Sequence, residues 1–213
     1  MTIRRTVASA VLAVLGWVGI GTATATPITF DFSATVTFVT SGLAGFFSVG
    51  ETLTGSFTFE STTVGVPLSS SVVDYPGAIT AFSVTGSAFT GAWTTGSIHI
   101  QDAATDEYGV SALGGFSGTN TGLGVQPTAS ILLIDATGTM LSGTLLPVTP
   151  PCLPGSAGFG ISYLLGPETR ESVGATLNSL TLAPAPPVPE PATLALMAIA
   201  LAGLGLSRRH KPS

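Results

Sequence analysis

ITFDFSATVTF, Ile28 to Phe38, alternates at every position. Ile28, Phe30, Phe32, Ala34, Val36 and Phe38 are apolar, and Thr29, Asp31, Ser33, Thr35 and Thr37 between them are polar. A period of two puts the apolar set on one face of a β-strand and the hydroxyls on the other. ETLTGSFTFE, Glu51 to Glu60, repeats the pattern, with Leu53, Phe57 and Phe59 set against Thr52, Thr54, Ser56 and Thr58. Gly55 falls on the apolar face of that stretch and marks a bulge or a close backbone approach. Ser41 to Gly50, between the two, reads as a glycine-containing turn around Phe46 and Phe47.

Further along, the same signals recur at shorter length. Ser61 to Gly77 reads as a polar loop with brief strand character at Val72-Val73, and Ile79 to Thr85 and Ala88 to Thr94 read as a strand pair. Gly96 to Gln101 is a short strand, Asp102 to Glu107 an acidic loop, and Gly109 to Gly124 a glycine-rich stretch. Ser130 to Thr137 contains ILLI, a continuous apolar run that predicts a strand buried on both faces. Met140 to Leu146 is expected to pair with it across Gly138. Pro147 to Gly155 holds four prolines and must be a loop or an edge. Gly160 to Leu165 and Ser172 to Ala183 supply the last strands. No long window between residues 26 and 183 has helical periodicity. The expectation is therefore a mostly β fold, an antiparallel β-sandwich or jelly-roll-like domain over residues 26–183.

Composition points the same way. Of 213 residues, 45% are hydrophobic but only 8% are charged, against about 25% in an ordinary soluble protein. Thr, Ser and Gly replace the missing charges, which suits an extracellular β-protein. The charges are segregated as well. Residues 26–190 hold one basic residue, Arg170, and all eleven carboxylates, a net charge near −10. Phosphate binding needs a basic footprint, so a nucleic-acid partner is excluded.

The two ends depart from this pattern. Residues 1–25 form a secretory signal helix: Arg4 and Arg5, then an apolar region of 14 residues from Val7 to Ile20, then a cleavage site at Ala23-Thr-Ala25. Residues 184–191 are a Pro-rich spacer ending in Pro189, Glu190 and Pro191. Ala192 to Leu206 is a run of 15 uncharged, mostly apolar residues, and residues 207–213 carry Arg208, Arg209 and Lys211. At 1.5 Å per residue the run makes a helix of about 22 Å, short of the ~30 Å hydrocarbon core. It is expected as one short transmembrane helix with its basic flank on the cytoplasmic side.

The tail resembles the PEP-CTERM sorting signal of Gram-negative bacteria, a Pro-Glu-Pro triplet followed by a short hydrophobic helix and an arginine-rich end. The resemblance implies recognition by an exosortase, a membrane-embedded transpeptidase-like enzyme, with removal of the helix near the triplet. It implies an inner-membrane single-pass precursor that passes through the secretion machinery to the cell surface or an exopolysaccharide matrix, as in a biofilm. The tail family is also labelled after an ice-binding protein, a label that belongs to the tail. FFSVGETLTGSFTFE, Phe46 to Glu60, and Ile79 to Val84 are similar to segments of the β-domains that often precede such tails.

Residues able to carry chemistry are few. Asp102, Asp106 and Glu107 place three carboxylates in one loop, a candidate Ca²⁺ ligand set that lacks the spacing of a dedicated calcium loop. His99 has no Gly-x-Ser-x-Gly elbow to serve. Cys152, the single cysteine, forms no internal disulfide. Trp93, Tyr75 and Tyr108 are core residues or aromatic platforms for a sugar ring. The reading is a non-enzymatic exported protein without a cofactor. The alternative is a glycan-binding module at the cell surface, with Ca²⁺ as its cofactor.

Overall fold

The computed structural model describes residues 27–165 and 169–184. Eleven strands follow one another: β1 (Ile28–Val39), β2 (Thr52–Phe59), β3 (Val66–Pro67), β4 (Val72–Thr85), β5 (Thr90–Trp93), β6 (Thr95–Gln101), β7 (Asp106–Gly114), β8 (Ser117–Gly118), β9 (Thr128–Asp135), β10 (Ser156–Leu164) and β11 (Arg170–Leu182). A single 3₁₀ turn, Ser41–Leu43, follows β1.

The expected sandwich is not what forms. β1, β2, β4, β6, β7, β9, β10 and β11 pair antiparallel in that order, and β11 returns to β1 through Phe30↔Leu182 and Val36↔Ala175. The result is a closed eight-stranded up-and-down barrel. β4, at 14 residues, outruns its neighbours. It pairs with β3 and then β2 along one edge, and with β6 and then β5 along the other. β8 extends β7 and pairs with β5. Closure leaves no barrel strand with a free edge along its length, a problem a sandwich must manage at each sheet margin.

The alternation in the sequence now acquires a direction. Phe30, Phe32, Phe57, Phe59, Phe82 and Phe159 point inward and contact one another edge-on, tilted or stacked, with Ile98, Ile100, Val110, Ile131 and Ile161 packed beside them. An eight-stranded barrel has just enough interior for side chains to fill it, and these rings do so. The hydroxyls point outward and bond across strands: Thr29 to Thr58 at 2.8 Å, Ser33 to Ser179 at 2.6 Å, Ser56 to Ser83 at 3.1 Å. A barrel that spans a lipid bilayer has the reverse arrangement, an apolar outer band.

Several segment readings change. Ser130–Asp135 is buried on one face only: Ile131 and Leu133 face inward, while Leu132 is 40% exposed on the outer wall. β4 starts at Val72 and runs through Pro76-Gly77: Pro76 still pairs with Ser97, and a register shift between Pro76 and Ile79 absorbs Gly77 and Ala78. Residues 140–146 form bends and not a strand. A second shift between Val36 and Phe38 turns Phe38 outward, where it is 54% exposed. The expected signal helix (1–25), most of the spacer, the transmembrane helix (192–206) and the basic tail lie outside the described residues. Among the described residues no helix is long and apolar enough to cross a membrane.

Candidate functional site

The barrel has two ends of different character. β1 starts and β11 finishes at one, the terminal end, which also carries the connections 60–71, 102–105 and 136–155. Asp31, Glu60, Asp74, Asp102, Asp106, Glu107 and Asp135 all lie in that half. The opposite, distal end carries the connections 40–51, 86–89 and 115–127, with Glu51, Arg170 and Glu171 as its described charges.

The three carboxylates read as a calcium loop do not converge. Asp106 opens β7 facing inward and is fully buried, the one buried charged residue among those described. Its Oδ1 accepts the Ala103 N–H at 3.2 Å and its Oδ2 the Leu141 N–H at 2.8 Å, so it ties two connections of the terminal end together. Glu107, next along the strand, points to the outer face, as the pleat requires. Asp102 is half-buried, with its N–H given to Ser71 O. Among the described residues no three His, Cys, Asp or Glu side chains gather as a metal would need.

The aromatics read as sugar platforms are core residues: Trp93, Tyr75 and Tyr108 are all buried. Trp93 Nε1 donates to Pro127 O at 2.8 Å and the Tyr75 hydroxyl to Thr144 O at 2.7 Å. The Tyr108 hydroxyl has no partner, and full burial pushes its ionisation far above the usual tyrosine range. His99 pairs with Asp74, its cross-strand partner, at 2.5 Å on the outer wall. Nothing in the chain order announces this partner, because the two residues, 25 positions apart, lie on strands that meet only in the fold. Among the described residues no hydroxyl bonds the other ring nitrogen. Cys152 is exposed in the proline-rich connection.

One constellation was missed by sequence reasoning. At the distal end a cleft of about 370 Å³ lies between the 115–127 connection and Tyr163, the last inward residue of β10. The Tyr163 hydroxyl is buried without a hydrogen-bond partner. Burial pushes its ionisation up, and the neighbouring Thr121 hydroxyl, outside hydrogen-bond geometry, pulls the other way. Gly115, Gly122 and Gly124 take φ of 68°, 77° and 72°, which only glycine adopts without strain, and so shape the connection. The glycines at 109–124 were visible in the sequence. Their service to a cleft was not.

A comparison with protein families matches residues 187–209 to the PEP-CTERM protein-sorting motif. The chain carries that sorting motif. PEP-CTERM motifs are recognised by exosortases and direct export to the cell surface, so the sorting residues expected from the sequence, Pro189, Glu190 and Pro191, and the basic pair Arg208 and Arg209 fall inside an assigned signal. Lys211 lies beyond the match. All of these, with Ala23 and Ala25 of the expected cleavage site, lie outside the described residues. No curated protein and no solved structure matches the chain.

Proposed function

We propose that this chain is a non-catalytic display protein: a hydroxyl-walled barrel exported, sorted through its PEP-CTERM tail, and presented at the cell surface or in an exopolysaccharide matrix. The observation that carries the reading is the sorting motif at residues 187–209, directly after a barrel complete at Leu182. The barrel supports it in two ways. Its outer wall is rich in hydroxyls, and its interior is filled by phenylalanine rings rather than by a reaction chamber. In this reading residues 192–206 hold a single-pass inner-membrane intermediate, and an exosortase of a Gram-negative host processes it near Pro189-Glu190-Pro191.

The test is a full chain with an epitope inserted in the barrel, followed in cells with and without the exosortase. The expected result is protease-accessible epitope on the surface and a mass shift lost when Pro189-Glu190-Pro191 is scrambled. A chain that stays in the cytoplasm, or that is processed identically with the triplet scrambled, overturns the reading.

A further inference from the structure

The distal cleft is a built site. Its floor is Tyr163, whose hydroxyl is buried and has no hydrogen-bond partner among the described residues. Its walls include Phe116, Thr119, Asn120, Thr121 and Gln126, and among the described residues no charged side chain lines it. The connection that forms it is tied down on both sides. Thr119 N–H donates to Thr90 O at 2.8 Å, Thr90 N–H to Thr119 Oγ at 2.9 Å, and Trp93 Nε1 to Pro127 O. Asn120 Oδ1 takes the Gly122 N–H at 2.9 Å, which leaves its NH₂ group open to solvent. Phe116 is half-buried against Trp93, with ring centroids 5.0 Å apart.

These features select a ligand by exclusion and by fit. An anion finds no cation among the described lining residues. A purely apolar ligand would leave the Tyr163 hydroxyl unpaired, as it is in the free barrel, and gain nothing from it. A neutral polyhydroxylated ring satisfies both demands: its hydroxyls bond Tyr163, the Asn120 and Gln126 amides and the threonine hydroxyls, and its C–H face lies on Phe116. We propose that the distal cleft binds a neutral sugar of one or two rings. The site lies at the opposite end of the barrel from Leu182, from which the chain continues toward its sorting motif. The proposal deepens the display reading by naming what the barrel meets, and rests on that reading only for where the meeting takes place.

The experiment uses the full chain purified in a detergent without a sugar headgroup. The probes are neutral mono- and disaccharides of glucose, galactose, mannose and xylose, with digalacturonate as the charged control. Trp93, the one tryptophan after residue 25 and in contact with Phe116, reports binding by its emission, and calorimetry measures it independently. The expected result is saturable binding of at least one neutral sugar, weakened about tenfold in Tyr163→Phe by loss of one hydrogen bond. The variant's melting temperature should be unchanged or higher. Asn120→Ala, on the exposed rim, should weaken binding severalfold and serves if Tyr163→Phe fails to fold. No binding of any neutral sugar, binding of digalacturonate alone, or binding undiminished in both variants overturns the site. Surface accessibility of the epitope-tagged chain is scored separately, so an exported protein that binds no sugar sinks this inference alone.

Discussion

Asp106 and Leu141, 35 residues apart, are joined by a 2.8 Å hydrogen bond from the Leu141 N–H to the buried carboxylate. With the Ala103 N–H on its other oxygen, Asp106 holds the 136–155 connection against the terminal end of the barrel. Removing it orphans two partly buried donors, each worth about 1–3 kcal/mol when left unmade. Asp106→Ala should therefore cost about 3 kcal/mol, read as a fall in melting temperature of roughly 6 to 12 °C. Glu107→Gln, on the outer face, should be near neutral. Because the two carboxylates point to opposite faces, millimolar Ca²⁺ should leave the melting temperature of the wild-type chain unshifted. A calcium-dependent rise that vanishes in Glu107→Gln would restore the metal reading.

Gly55 makes the second prediction. A Cβ there would run into the Ser83 carbonyl oxygen across the β2–β4 pairing and into the Phe32 ring across β1. Backbone cannot give way in a closed barrel, so Gly55→Ala should destabilise by more than about 2 kcal/mol. Gly158, on β10, meets only Ala175 O at 3.8 Å, an ordinary contact. Gly158→Ala should stabilise by about 0.4 to 1 kcal/mol through the unfolded chain. Urea denaturation of the pair separates steric fit from chain entropy. Equal effects would mean that the β1–β2–β4 packing is looser than described.

Gly55 also shows how far the sequence could be read. Its misfit on an apolar face announced a close approach, because a missing side chain in an alternating run needs a reason. Which backbone approached it was invisible, since Ser83 is 28 positions away in the chain. The same divide runs through the fold. Alternation over Ile28–Val36 marks which residues are inside, but a sandwich and a barrel share that alternation. What separates them is the pairing of Phe30 with Leu182, made by residues at opposite ends of the domain. Pro76-Gly77 misled for a related reason: they look like chain breakers, and only the register shift beside them lets β4 continue. The sorting tail was legible because its signal is contiguous. The distal cleft was not, because Phe116, Asn120 and Tyr163 meet only when the barrel closes.

Tyr108 supplies a third test. Its ring fills the barrel interior and its hydroxyl lies fully buried with no partner. Unlike Tyr163 it lines no cleft, so the hydroxyl carries a desolvation cost with nothing in return. Tyr108→Phe keeps the ring and should raise stability by about 1 kcal/mol, measured as a higher urea midpoint at unchanged slope. A loss of stability would show that the hydroxyl has a partner in solution.

The last prediction concerns acid. Burial raises the Glu51 pKa. The N–H and hydroxyl of Ser87, at 2.5 and 2.8 Å, and the Ser48 N–H at 3.0 Å more than offset this, and the carboxyl ionises below its usual range. Asp135 is lowered further by the hydroxyl and N–H of Thr137 and by Thr139. A carboxyl whose pKa is depressed in the folded state stabilises above its unfolded value, about 4, and loses that contribution as the pH falls through the folded value. At pH 7 the Glu51→Gln and Asp135→Asn variants should thus be less stable than the wild type, by an amount that solvent screening keeps small. The gap should narrow from about pH 4 downward, first for Glu51→Gln and at lower pH for Asp135→Asn, whose carboxyl is depressed more. Urea midpoints across that range check the order. A gap that widens in acid would contradict the hydrogen bonds assigned to both carboxylates.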